Sequence, residues 1–288
     1  IATIVCMLAS LGAVDRAEAD RLFEAEKWAE ARAAYEEILE GAAKGAERAG
    51  VLDRIGRTWL MEGSYWEAEG FFARSIEEHE TAEARLHRGQ AYFYVGQRAS
   101  NERGAMGAEV RALMNDAGRE LERCLVLDPV SGDAFYFLGL CAAYRIEPEK
   151  EEAAYRKALQ VSPGHASASL DLANLLAKRG DGPEARKVLD AVPAERRTKW
   201  HYLLIGDHAA AADDQEALLS AYLGALRLDL EDPVPYDRLW QVTGFKRRFA
   251  AFRKIMESVL EEHPEAWLAH YFLGFCHRHA KDPEAAIR

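Results

Sequence analysis

Apolar positions in this chain recur three and four residues apart in short runs broken by turns, with no sustained apolar–polar alternation. The stretch 135–165, FYFLGLCAAYRIEPEKEEAAYRKALQVSPGH, holds two such runs, a turn between them and a proline just past the second. Side chains three and four apart share one side of an α-helix, so each run predicts a helix with one apolar face. Helix-favouring Ala, Leu, Glu, Arg and Lys dominate, and no Val/Ile/Thr-rich alternating run suggests a sheet. The element predicted is a helix–turn–helix hairpin.

The hairpin recurs. In the quoted copy Leu138-Gly139 marks the first helix, and Tyr155, Ala158 and Pro163 mark the second. A small residue lets two helices approach, an aromatic ring fills the gap, and proline ends the second helix. The same marks stand at Ile55-Gly56 with Ala68, Phe72 and Ser75, and at Gly89 with Tyr92, Leu121, Cys124 and Pro129. They return at Leu172-Ala173 with Ala185 and Leu189, and at Ile205-Gly206 with Tyr222 and Ala225. Leu239-Trp240 leads to Met256 and Val259, with Trp240 bulky where small is the rule; Leu273-Gly274 leads to Ala285-Ala286. A half-divergent copy begins near Asp20, with Trp28, Ala31, Tyr35 and Ile38. Gly139 to Ala173, Gly206 to Trp240 and Trp240 to Gly274 are each 34 residues.

These marks at this period resemble the tetratricopeptide repeat family, whose unit is a 34-residue helix–turn–helix. The resemblance covers residues 20–288 in about seven to eight copies, the last one truncated. It implies an all-α fold, a right-handed α-solenoid in which neighbouring hairpins bury each other's apolar faces. It also implies that the first helix of each pair lines a concave surface receiving a peptide or protein segment.

One interval breaks the period. Gly89 to Gly139 is 50 residues, and the surplus falls inside the third copy, an insertion over residues 97–116. Val110, Leu113, Met114, Ala117, Leu121 and Cys124 keep the helical spacing, which starts the second helix near Ala105 and leaves residues 97–104 as a polar loop. That loop reads either as a tolerated surface insertion or as a partner-specific finger, and the first is preferred.

Carrying the family's inward positions over copy by copy gives Gln90, Phe93 and Tyr94 from the third copy, and Tyr136, Phe137, Leu140 and Tyr144 from the fourth. The fifth gives Asn174 and Lys178, the sixth Asp207, the seventh Asp237 and Gln241, and the eighth Tyr271, Phe272 and Phe275. Aromatic anchors beside a few polar groups suit a peptide-binding groove, although each ring could instead pack between hairpins. The family also has a subtype that clamps a terminal carboxylate with Lys, Asn and Arg. Asp53, Arg57, Met61, Leu86 and His87 stand in the corresponding places and do not form that clamp.

Composition adds exclusions. A net charge of −11, from 37 basic and 48 acidic residues, argues against a nucleic-acid partner, and the basic turn FKRRF at 245–249 does not reverse that. No C-x-x-C, Gly-rich phosphate loop, G-x-S-x-G or H-E-x-x-H occurs, so no catalytic residue, cofactor or metal is assigned. His270 and His277 are about 10 Å apart on one helix, too far to share a zinc ion, and Cys276 with His279 lacks partners. Cys124, Cys141 and Cys276 sit among apolar residues and read as inert.

Residues 1–14, IATIVCMLASLGAV, followed by Ala17-Glu18-Ala19, read as a secretory signal over residues 1–19 whose charged leading segment is missing. A buried capping helix and a longer membrane anchor are the rivals. The missing initiator Met and the ending DPEAAIR read as a fragment. The sequence thus predicts a non-enzymatic protein–protein interaction scaffold without a membrane span in the mature chain. It would be periplasmic or extracellular if the signal is real and cytoplasmic otherwise. The alternatives are an assembly platform in a bacterial envelope complex and a regulatory arm of a larger protein.

Overall fold

The computed structural model describes residues 15–103, 107–244 and 249–279. Among these the regular elements are fifteen α-helices and one short 3-10 turn, Ala194–Arg196. The apolar run at 1–14, most of the basic turn at 245–249 and the truncated end of the eighth copy, including Ala285-Ala286, lie outside the described residues. The chain divides into two compact units, residues 1–162 and 163–288.

In the first unit α1 (Arg16–Glu24) pairs with α2 (Trp28–Gly41), α3 (Ala46–Met61) with α4 (Tyr65–Glu78), α5 (Ala82–Arg103) with α6 (Ala108–Leu127), and α7 (Gly132–Arg145) with α8 (Pro148–Val161). The second unit pairs α9 (Ala166–Lys178) with α10 (Gly182–Asp190), α11 (Lys199–Ala211) with α12 (Gln215–Leu228), and α13 (Pro233–Gly244) with α14 (Phe249–Glu262), followed by α15 (Trp267–His279). Side chains cap several starts: Ser131, Asp181 and Asp214 accept from the backbone N–H groups of Ala134, Glu184 and Ala217, and Pro148 opens α8.

The sequence marks are physical notches. A Cβ on Gly56 would stand 2.6 Å from the ring of Phe72, one on Gly139 2.4 Å from Tyr155, one on Gly206 2.5 Å from Tyr222 and one on Gly89 2.8 Å from Leu121. Each partner is fully buried, so the missing Cβ is the space the second helix's large side chain occupies. Seven residues after the small position the backbone turns through the left-handed region: Gly63 follows Gly56, Ile146 follows Gly139, Gly180 follows Ala173 and Asp213 follows Gly206. Glu26 makes the same turn seven residues after Ala19, which is fully buried. Ala19 is therefore the small position of the first hairpin, and a boundary drawn after it falls inside α1.

Residues 97–103 of the insertion do not form the expected loop, and Gly104 lies outside the described residues. Residues 97–103 continue α5, and α6 begins at Ala108 rather than near Ala105. Arg103 lies 14 residues beyond Gly89, whereas Met61, Arg145 and Ala211 end their helices 5 or 6 beyond Gly56, Gly139 and Gly206. The surplus lengthens both helices into a tall hairpin. Ion pairs seat its base: Glu120 accepts from Arg85 (2.6 Å) and Arg88 (3.1 Å), and Arg88 also reaches Glu69 on α4 (2.7 Å). Glu80 takes Arg123 and Arg85, whose hydrogen bonds hold its carboxyl down to about 2.

In the second unit His201 ties the starts of α9 and α11 together. The Thr198 N–H donates to its Nδ1 (3.1 Å), so Nε2–H donates to the Ser169 hydroxyl (2.9 Å), which donates to the Ala166 carbonyl (2.8 Å). Burial, then the charge of Arg197, holds its pKa below the ordinary 6.5. A proton on Nδ1 would set two N–H groups against each other. A folded pKa below the unfolded value means the stability is complete above 6.5 and is lost as pH falls below it. The second unit's denaturation midpoint should therefore drop from about pH 7.5 to about 5.5, and drop less in His201→Gln. His208, also lowered by burial, is common to both chains.

Candidate functional site

The first helices α9, α11 and α13 of the second unit border a cleft of about 320 Å³. Leu170, Asp171 and Asn174 line it from α9, Trp200, Leu203, Leu204 and Asp207 from α11, and Val234 and Arg238 from α13. The spacings i, i+1, i+4 and i, i+3, i+4, i+7 are single helix faces, and helix α11 buries Ile205, Ala209 and Ala210 as well. Trp200 opens the cleft with half its surface (51%) exposed, and Asn174 is exposed with no hydrogen-bond partner among the described residues.

The polar end is built from the core outward. The buried Tyr222 hydroxyl donates to the Asp207 carboxylate (2.7 Å), and Arg238 donates to the same carboxylate through Nη2 (2.6 Å) and Nε (3.0 Å). Burial, then the Asp207 charge, pushes the Tyr222 phenol well above its usual range, so it stays a donor. Asp207's hydrogen bond raises Arg238 in turn. The cleft thus offers apolar walls, an open indole, a free amide and a self-compensated ion pair. The described residues of its lining include no cysteine, histidine, serine or lysine.

The sequence-predicted residues fall in three groups. Asn174 lines the cleft; Lys178, one turn on, is exposed outside it, and Tyr271 and Phe275 on α15 do not line it. Tyr271 is exposed, whereas Phe275 is half-buried with its ring 4.8 Å from Trp240. In the first unit Gln90, Tyr94, Tyr136, Leu140 and Tyr144 are half-buried, while Phe93 and Phe137 are buried. Phe93 meets Phe137 (5.5 Å) and Tyr144 (5.6 Å) edge-on, Tyr136 meets Phe137 (5.5 Å), and Tyr94 stacks on Tyr65 (5.1 Å). Phe93 and Phe137 are core residues rather than surface anchors, because α5 and α7 are packed against each other and α6. Trp200, Leu204, Val234 and Arg238 were not singled out in the sequence. Trp200 and Val234 each stand six residues before the small position of their copies, a register the sequence does contain.

Elsewhere the described cysteines are buried and some of the histidines are engaged. Cys124, Cys141 and Cys276 are buried free thiols, and burial pushes Cys141 up to about 12. His270 lies 2.8 Å from the Pro264 carbonyl through Nε2, and His87 pairs with Asp53 (2.8 Å). No group of three His, Cys, Asp or Glu among the described residues could hold a metal ion, and no described helix is long and apolar enough to cross a membrane.

Helical hairpins with a small–aromatic notch and a left-handed turn at fixed register define a helical-repeat protein. Two family models described as tetratricopeptide repeat match residues 152–204 and 246–288, and the chain belongs to the tetratricopeptide repeat family. A tetratricopeptide repeat protein from Parabacteroides merdae, 12% identical, aligns over 94% of this chain and 96% of its own with a TM-score of 0.53, a likeness of fold. Cellulose synthase operon protein C of Pseudomonas fluorescens is 26% identical over 206 residues, 67% of this chain and 16% of that protein. The biofilm formation methyltransferase WspC of Pseudomonas aeruginosa, described as probable, is 39% identical over 83 residues, 27% of this chain and 20% of that protein. The chain thus spans a fifth or less of the length of these curated relatives. The fold is that of a protein–protein interaction scaffold.

Proposed function

We propose that the chain is a non-enzymatic scaffold whose second unit holds an extended segment of a partner protein in the cleft of α9, α11 and α13. The supporting observation is an exposed Trp200 beside apolar walls, with a hydrogen-bonded Asp207–Arg238 pair and an Asn174 amide without a partner among the described residues at the same cleft. An apolar side chain of the segment rests on Trp200 and Leu204, and Asn174 pairs with its backbone. Export to an envelope compartment belongs to the same proposal, on the strength of the apolar run at residues 1–14.

Peptides selected against the chain from a displayed random library give the test. Trp200→Ala should weaken them about 30-fold, the ~2 kcal/mol of an aromatic anchor, while thermal stability changes by less than about 0.5 kcal/mol. Selected peptides that bind Trp200→Ala as tightly as wild type would remove the cleft from the proposal. A second reading, that the chain is the repeat arm of a longer protein, rests on the greater length of both curated relatives. The complete coding sequence decides it.

A further inference from the structure

The tall hairpin of α5 and α6 makes a second cleft, in the first unit, that an ordinary copy of the repeat would lack. Its volume is about 420 Å³, within the range of ~300–1,000 Å³ found for ligand clefts. Val95, Arg98, Ala99 and Glu102 wall it from α5 at spacing i, i+3, i+4, i+7, one helix face that runs into the added turns. The opposite wall is the start of α4, with Tyr65, Trp66 and Glu67, and Glu109 closes the end from α6. Where α3, α7 and α11 stop 5 or 6 residues past their small position, there would be no helix opposite this wall.

The charges point one way. Among the described residues of the lining the one cation, Arg98, is committed to the floor: its Nη2 donates to the Gly63 carbonyl (2.8 Å), and its guanidinium lies 4.6 Å from the centre of the Tyr65 ring. Tyr65 is held from behind by Tyr94, stacked at 5.1 Å. Facing that floor are three carboxylates, Glu67, Glu102 and Glu109, which leave the described residues of the lining two negative charges in excess of Arg98. Glu109 is engaged within the chain, whereas Glu67 and Glu102 are exposed and have no ion-pair partner among the described residues. Glu67 sits in the first turn of α4, where the helix dipole offsets part of its charge. Glu102 sits in the last turn of α5, where the dipole disfavours a negative charge and an incoming cation would relieve it. Trp66 is more than half exposed (55%) and edge-on to Tyr92, so its indole is open to a ligand.

We infer that this cleft docks a lysine- or arginine-bearing segment of a partner protein. The aliphatic stem of the basic side chain lies along Val95, Ala99 and Trp66, and its charged head reaches Glu67 and Glu102, a pairing that an open indole strengthens. The site is separate from the cleft of the second unit and stands or falls apart from it.

Fluorescence anisotropy tests it with a labelled peptide of about twelve residues carrying lysine at every third position, and its glutamine counterpart, at about 0.15 M salt. The lysine peptide should bind, and the glutamine peptide at least about tenfold more weakly. Glu67→Gln/Glu102→Gln and Trp66→Ala should each weaken the lysine peptide about tenfold or more. Glu36→Gln/Glu37→Gln, the same change of charge on exposed α2 residues, should leave it within about twofold, as should Trp200→Ala. If the α2 pair weakens binding as much as the cleft pair, the attraction is only net charge and the inference fails. It fails equally if lysine and glutamine peptides bind alike, or if Trp200→Ala abolishes binding.

Discussion

Tyr222→Ala should destabilise the second unit by about 3–5 kcal/mol, the range for removing a large buried ring. The ring is fully buried and fills the notch at Gly206, 2.5 Å from where a Cβ would stand, so its removal leaves a cavity between the paired helices. The same substitution removes the phenol that orients Asp207 (2.7 Å) and leaves the carboxylate to Arg238 alone. Tyr222→Phe separates the two effects, keeping the ring and costing about 1 kcal/mol for the hydrogen bond. Urea denaturation followed by helical circular dichroism reads both. An alanine variant within about 1 kcal/mol of wild type would mean that the notch does not carry the hairpin.

Two glycine-to-alanine changes in helix interiors should have opposite signs. A Cβ on Gly70 of α4 meets nothing within 4 Å, so Gly70→Ala should gain up to about 1 kcal/mol from helix propensity. Gly139→Ala makes the same local gain but drives its methyl to 2.4 Å from the ring of Tyr155, which is 1% exposed and has nowhere to retreat. Overpacking of this kind costs about 1–3 kcal/mol, so the net effect should be a loss. Tyr155→Leu in the Gly139→Ala background should recover part of it, because a smaller side chain makes room for the methyl. Equal gains at both glycines, read by the same denaturation, would show that the register of small residues is not a packing register.

The hairpins were legible because the notch needs two particular residue types at a fixed separation, and the marks Gly56–Phe72, Gly139–Tyr155 and Gly206–Tyr222 state both partners. The tall hairpin was half legible. Val110, Leu113 and Met114 showed the buried face of α6, but residues 97–102 are half-buried or exposed and mostly polar, and a polar helix reads like a loop. Phe93 and Phe137 were placed in a groove because first-helix residues serve both packing between hairpins and the open face, and a single sequence does not separate the two. Trp200 escaped because it lies in the first turn of α11, while only Asp207, two turns later, was carried over from that copy. The pairing of Asp207 with Tyr222 and Arg238 depends on three helices meeting, which no local pattern encodes.

The most direct measurement of the central account is a crosslinking map of a library-selected peptide carrying a photoreactive group, read by mass spectrometry on the intact chain. The account predicts crosslinks on α9, α11 and α13, at or beside Asn174, Trp200 and Val234, and their loss in Trp200→Ala. Crosslinks concentrated on the second helices α10, α12 and α14 would contradict it.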